Sequence, residues 1–409
     1  MLNLVWIGFF LVAFATALIK WLAYDDANVF DQMMSAMFAT SKSAFEISLG
    51  LTGILALWLG IMKIGERSGF VQFLARCLTP LFRRLMPEVP SDHPAIGAMV
   101  MNIGANALGL DNAATPLGIK AMNELQRLNP DKTTASNPQI LFLVINTSAV
   151  TVFPITIMTY RAQLGAAHPT DIFLPLLIAT FCSTLVGLLT VAAYQRINLF
   201  NAVVLSYVGG TALALAAMGY YFSGLSQAEM QHQSGLVSNL VLLSLVISFL
   251  AASLFQKVNA YDAFIEGAKE GFQTAVMIIP YLVAMLVAIA VFRASGAMDI
   301  ALTLIREGFA LLSIDTRFVD ALPTAFMKPF SGSGARAMMI DTMQHFGPDS
   351  FAGRLASIVQ GSTETTFYVL TVYFGAVGIN NIRHALSCGL AADLAGITAA
   401  IVMAYWFFG

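Results

Sequence analysis

Several stretches of this chain run almost free of charge for the length of a bilayer's hydrocarbon core, and that constrains the fold more than any other feature. A helix needs about 20 mostly apolar residues to cross about 30 Å of hydrocarbon. Residues 4–24, 133–160, 172–195, 197–222, 235–256, 271–292, 355–382 and 385–409 are long enough. Residues 47–62, uncharged between Glu46 and Lys63, are short but adequate with snorkelling flanks. Only 11% of the 409 residues are charged and the formal net charge is −2, whereas a soluble domain carries about 25% charged residues. A water-soluble enzyme, a disordered chain and a nucleic-acid binder with a basic excess are all excluded. The expected class is an all-α, polytopic membrane protein.

The N-terminus, Met1 to Trp6, lacks the basic region and small-residue cleavage site of a signal peptide, so the first run is expected to remain as a helix. Cys77, Cys182 and Cys388 lie far apart in apolar surroundings with no metal-ligand spacing, and are read as packing residues. No GxxxxGK[ST], GxGxxG or HExxH pattern is present, so no enzymatic activity is expected.

Segments 27–43, 70–86, 258–270 and 297–312 are too short or too charged to span. They carry apolar residues at helical spacing, as in Phe70, Phe73, Leu74, Leu78 and Leu81, and are expected as amphipathic helices at the interface. Two further segments, 94–128 and 318–345, are apolar but interrupted by polar and glycine-rich residues, Asn102 to Pro116 in the first and Lys328 to Arg336 in the second. Irregular backbone at membrane depth is tolerated only when buried in protein or lining a cavity. Both are therefore expected to be broken re-entrant helical hairpins.

The same order of elements recurs in both halves. Residues 44–82 lie over 271–309 without gaps, pairing Ser68-Gly69 with Ser295-Gly296, and 143–165 lie over 357–379, pairing Ser148 with Ser362. The helix before Gly187 lies over the one before Gly396, which places Thr184 opposite Asp393. Residues 1–199 form one repeat and 235–409 the other, with 200–234 as a linking transmembrane helix and loop. With four crossings per half and one linking span, equivalent points are an odd number of crossings apart, so the repeats are expected to be inverted. The side that holds the N-terminus collects more of the 21 Lys and Arg, among them Arg76, Arg83, Arg84, Arg127 and Lys132, which favours a cytoplasmic N-terminus.

Inverted-repeat transporters bind solute near the midplane, where half-helix N-termini aim their positive ends at the ligand. Asp111, Asn112 or Thr115 is placed to cap the returning helix of the first hairpin, and Ser331 or Ser333 that of the second. Arg336 is expected in the first turn of that helix, where a cation opposes the dipole unless an acid or an anionic ligand answers it. Glu364 is the acid in reach, leaving a structural ion pair, a solute contact and a gate as alternatives. Polar strips sit mid-span at equivalent places: Asn146, Thr147, Ser148 and Thr151 in one half, Gln360 to Thr365 in the other. Such hydroxyls often only bond a nearby carbonyl, but two matched clusters point to a binding site. Asp393, alone in the last span, is an intramembrane acid: it carries a proton, ligates Na⁺, or pairs with Arg383 or His384. Lys120, Glu124 and Asp341 are expected near the interface, solvated or paired.

The segment Asn106-Ala-Leu-Gly-Leu-Asp-Asn-Ala-Ala-Thr-Pro resembles the signature of spore maturation protein A. Lys328-Pro-Phe-Ser-Gly-Ser-Gly-Ala-Arg, with Gln360-Gly-Ser-Thr-Glu-Thr-Thr, resembles that of spore maturation protein B. The chain thus looks like a fusion of the two. The resemblance implies a pair of nucleoside-recognition Gate domains and a bacterial inner-membrane location, with the motif positions Asn106, Asp111, Asn112, Ser331, Ser333, Arg336, Ser362, Thr363 and Glu364 carrying no assigned role. It supplies no substrate.

The expected function is a secondary transporter or permease for a small polar, anionic or nucleoside-like solute. Asn106, Asp111, Asn112, Ser148, Ser331, Ser333, Arg336, Ser362, Thr363 and Glu364 are the candidate solute contacts. Glu364 and Asp393 are the candidate carriers of a coupling H⁺ or Na⁺, and no other cofactor is expected. The partners expected are the solute, the lipid bilayer and a second copy of the chain. A metal-ion permease and a lipid-handling or envelope-maturation protein are the alternatives.

Overall fold

The computed structural model describes residues 2–108, 111–148 and 152–409, with 111–113 as backbone only. Its described residues form helices and one isolated bridge, Thr134 to Asn381. The first half contains α1 (Leu2–Tyr24), α2 (Asn28–Arg67), α3 (Phe70–Leu85), a hairpin of α4 (Pro94–Ala107) and α5 (Asp111–Leu128), α6 (Asn137–Thr147), α7 (Ile155–Gln163) and α8 (Phe173–Gln195). A linking helix, α9 (Ala202–Ser223), takes a π turn over Leu205–Gly209. The second half repeats the order with α10 (Gln227–Phe255), α11 (Ala260–Ala294), α12 (Ala297–Ala310), a hairpin of α13 (Leu322–Met327) and α14 (Gly332–Phe346), α15 (Phe351–Ser362), α16 (Thr366–Ala376) and α17 (Ala385–Phe408). Among the described residues, seven helices are long and apolar enough to cross a membrane: α1, α2, α8, α9, α10, α11 and α17. This is a multi-pass membrane protein.

Two sequence expectations are corrected in one direction and two in the other. Segments 27–43 and 47–62, expected as an interfacial helix and a separate span, are one 40-residue helix, α2. Segments 258–270 and 271–292 are likewise one 35-residue helix, α11. Lys and Glu are strong helix formers, and the charges taken as interruptions pair with each other across the two helices. Lys63 Nζ lies 3.0 Å from Glu270 and 3.2 Å from Glu66. Conversely, 133–160 and 355–382, expected as unbroken spans, each break in the middle. In the first, Pro154 precedes α7 and supplies no backbone donor. In the second, Thr363 is fully extended (φ −144°, ψ 169°) between two helices, with no proline present.

The hairpins fold back, α4 onto α5 and α13 onto α14, whereas α6 scarcely touches α7 and α15 scarcely touches α16. The latter two are therefore broken helices that run on. Their directions are opposite. The segment after α16 bonds the start of α6 (Asn380 N–H to Thr133 O, 2.9 Å), while Arg161 near the end of α7 bonds Asp349 just before α15 (3.1 Å). The α2–α11 pair is antiparallel too, with Gly60 against Phe264 and Gly271 against Ala56, and so is α8–α17, with Gly187 against Ala392 and Ser183 against Gly396. Three pairs of equivalent elements run antiparallel, which is the inverted relation expected from the parity of crossings. The matching turns Ser68-Gly69 and Ser295-Gly296 take the same left-handed glycine (φ +77° and +83°), and each starts an amphipathic helix.

Beyond each break the chain enters the apolar core of the other half. Ile157 and Tyr160 of α7 pack with Met338, Met339 and Ile358, while Val369 and Phe374 of α16 pack with Met99, Ile140 and Phe142. Large side chains such as Leu11, Leu213, Leu243 and Leu254 stand outward, where lipid replaces protein as their apolar surroundings. In the extramembrane loop before α6, backbone bonds from Thr133, with the hydroxyls of Thr134 and Thr133, hold the Asp131 carboxyl down at about 2.

The α2–α11 crossing depends on Gly271, where an added Cβ would stand 2.7 Å from the Ala56 backbone. Gly271→Leu is expected to lower stability by about 1–3 kcal/mol, read as thermal unfolding in detergent. Gly53→Leu, on an open face of α2, is expected to stay within about 0.5 kcal/mol.

Candidate solute site

The two broken helices cross at their breaks. The Glu364 N–H, just past α15, donates to the Thr147 carbonyl at the end of α6, 2.8 Å away. Each hairpin tip is then tied to this crossing. Asn106 of α4 donates from Nδ2 to Asn146 Oδ1 (2.8 Å), and Asn146 Nδ2 donates to Phe142 O (2.9 Å). In the second hairpin the Pro329 carbonyl accepts from Phe367 N–H (3.1 Å), and the Phe330 ring stacks on Phe367 at 5.2 Å. Ser331 caps α14, its Oγ accepting from Gly334 N–H at 3.0 Å and lying 3.2 Å from Ser333 Oγ.

Around the crossing lies a cavity of about 410 Å³ to which all four interrupted elements contribute. The first hairpin supplies Asn106, Ala114 and Thr115; α6 and α7 supply Asn146, Phe153 to Ile157, and Tyr160. The second hairpin supplies Lys328, Gly332, Arg336 and Met339; α15 and α16 supply Gln360, Gly361, Thr363, Glu364, Tyr368 and Tyr373. The Arg336 guanidinium lies 5.7 Å from the Tyr160 ring centroid, a cation–π distance. A second cavity, of about 310 Å³, lies between the ends of α3 and α8 and the start of α6, near Arg83, Arg84 and Arg196.

The structure sorts the sequence candidates. Asn106, Arg336, Thr363 and Glu364 line the cavity, and Ser331 and Ser333 hold the helix end that faces it. Ser148 and Ser362 do not line it. Their hydroxyls bond carbonyls of their own helices, Ile145 at 2.9 Å and Val359 at 3.0 Å, the local back-bonding common for serine at a helix end. Arg336 is the fifth residue of α14, just past the first turn in which it was expected. The side chains of Asp111 and Asn112, and all of Thr151, lie outside the described residues. Asp393 is buried behind the crossing and away from both basic neighbours considered for it. Arg383 donates to Ala135 O (3.0 Å), and His384 meets Gln195 (3.1 Å) and stacks on Tyr194. Asp341 pairs with Arg293, and Glu124 with Arg127 at 2.9 Å.

Sequence reasoning passed over Lys328, Tyr160, Tyr368 and Tyr373. Lys328 had a signal: a cation within an interrupted apolar segment, now only 2% exposed. The tyrosines had none on their own helices. The position of Tyr373 is written instead in the first hairpin, where a Cβ on Gly118 would stand 2.5 Å from its ring.

The Gate family, described as nucleoside recognition, matches residues 48–167 and 275–380, which hold both hairpins and both broken helices. The chain belongs to this family. Spore maturation protein B of Bacillus subtilis (strain 168) is 48% identical over 165 residues, 40% of this chain and 91% of that protein. Spore maturation protein A of the same organism is 39% identical over 183 residues, 45% of this chain and 90% of that protein. Each relative matches under half of this chain and nearly all of itself, as a chain joining the two requires. No solved structure matches.

The hydroxyl of Ser331 holds an otherwise open helix end. Ser331→Ala is expected to cost about 1 kcal/mol, whereas Ser148→Ala and Ser362→Ala, which lose only local bonds, are expected to stay within about 0.5 kcal/mol. Thermal unfolding of the three variants checks the order.

Proposed function

We propose that this Gate-family chain is a secondary transporter or permease of the bacterial inner membrane for a small polar solute, anionic or nucleoside-like. One observation carries the reading: the interrupted helices of both inverted halves meet around a single cavity. A volume of about 410 Å³ lies in the lower part of the ligand-pocket range of about 300–1,000 Å³, which suits a solute of sugar to nucleoside size better than a bare ion. Lys328 and Arg336 favour an anionic group, and the amide of Gln360 with the rings of Tyr368 and Tyr373 suits a flat, hydrogen-bonding one. The family's description as nucleoside recognition agrees with this chemistry. A metal permease is less well supported. Among the described residues, His, Cys, Asp and Glu form no group of three able to hold an ion.

Purified protein screened against nucleosides, phosphorylated metabolites and ions is expected to melt at higher temperature with one class of polar organic solute. In proteoliposomes, Arg336→Gln is expected to reduce flux of that solute by about tenfold or more while the melting temperature without solute holds. Unchanged flux in this variant removes Arg336 from the solute path, and a screen in which no solute stabilises the protein overturns the transporter reading.

A further inference from the structure

Helix α17 packs against the second helix break through two glycines on one face. A Cβ on Gly389 would stand 2.8 Å from Thr366 Cγ2, and one on Gly396 would stand 2.5 Å from Thr363 Cγ2 and 3.1 Å from the Ser362 carbonyl. Asp393 lies between them, four residues after one and three before the other, and so faces the same break. It is 2% exposed. Its carboxylate faces the Thr366 and Thr363 hydroxyls but neither oxygen reaches full hydrogen-bond geometry, and the hydroxyls of Thr363, Thr365 and Thr366 and the Oε1 of Gln360, all buried, also lack a partner at that geometry. Five side chains thus bring unpartnered oxygens to one short stretch of broken backbone. Among the described residues, Lys328 and Glu364 are charged groups close enough to act on it, one of each sign.

We propose that Asp393 and the α15–α16 break form a sodium site. The ligands are the Asp393 carboxylate, the hydroxyls of Thr363 and Thr366, and carbonyl oxygen freed at the C-terminal end of α15, whose dipole presents negative charge to a cation. All are hard oxygen donors. One carboxylate among neutral oxygens matches a monovalent ion, since calcium cages recruit several carboxylates. A proton on Asp393 is the rival reading, and it gives no Na⁺-specific response in the test below. The equivalent place in the other half carries Thr184, whose hydroxyl reaches the Ser148 carbonyl at 3.5 Å, so the site belongs to one half only. It borders the solute cavity through Gln360 and Thr363. Coupling of the ion to solute movement rests on the transporter reading; binding of the ion does not.

The test uses the full chain in lipid nanodiscs with no solute, melted in NaCl, KCl and choline chloride at equal ionic strength. A saturable rise of about 2–4 °C specific to Na⁺ is expected. It is expected to vanish in Asp393→Asn and to need about tenfold more Na⁺ in Thr366→Val, which keeps the side chain's shape and decides the matter if the first variant does not fold. Identical melting in the three salts, or a Na⁺ response that survives these substitutions, overturns the site. Solute flux without a Na⁺ response leaves the transporter reading standing and removes the site, and a Na⁺ response without flux does the reverse.

Discussion

A chain that leaves its helix inside hydrocarbon strands amides and carbonyls that no water can reach, and one bond that answers this joins the two halves. The orphan amide of Glu364 meets the orphan carbonyl of Thr147. Neither broken helix supplies that partner from its own half, so the two repeats have to interlock to be stable in lipid. Once they cross there, α7 and α16 continue into the opposite cores. The cavity is then a geometric consequence, because two helices that both unwind at their crossing leave space that side chains only partly fill.

Close crossing demands small residues, and the glycines stand where equivalent helices meet: Gly60 and Gly271 between α2 and α11, and Gly187, Gly389 and Gly396 where α8, α17 and the breaks converge. In lipid, where apolar burial gives helices little reason to associate, close backbone approach supplies the packing. The two-fold relation fixes where the backbones go and leaves the side chains free to differ. Thr184 and Asp393 occupy matching places, yet one reaches a carbonyl and the other carries a buried carboxylate that faces two threonine hydroxyls.

Hydropathy made the continuous spans legible, and the glycine- and asparagine-rich interruptions made both hairpins legible, because those features report directly on the surrounding solvent and on backbone freedom. The parity of the crossings foretold the inversion. The breaks at Thr147 and Ser362 were hidden because threonine and serine in an apolar run read equally well as span residues. Only the partner across the crossing decides that the backbone opens there. The long helices were hidden for the opposite reason: Lys63, Glu266 and Glu270 look like span ends singly and form one ion cluster together. Site residues on the hairpins were found more readily than those on the broken helices. Arg336 stood out as a charge beside glycines, whereas Tyr160 joins the cavity only because α7 crosses into the other half.

The crossing is held at both ends as well as in the middle. At one end Arg161, fully buried, meets Asp171 at 2.9 Å and Asp349 at 3.1 Å, and Arg354 meets Asp171 at 2.7 Å. Removing one member of such a group strands a buried charge, so the cluster resists opening. At the other end Asn380 and Ala135 exchange backbone bonds with Thr133 and Asn381. Three fixed points along two rigid elements leave little freedom to slide or tilt. The halves are therefore poorly suited to rocking as whole bodies, since each core contains a half-helix of the other. The hairpins are tied to this frame through the Asn106–Asn146 bond, the Val152 and Phe153 amides on the Ala107 carbonyl, the Pro329–Phe367 bond, the Arg293–Asp341 ion pair and aromatic contacts.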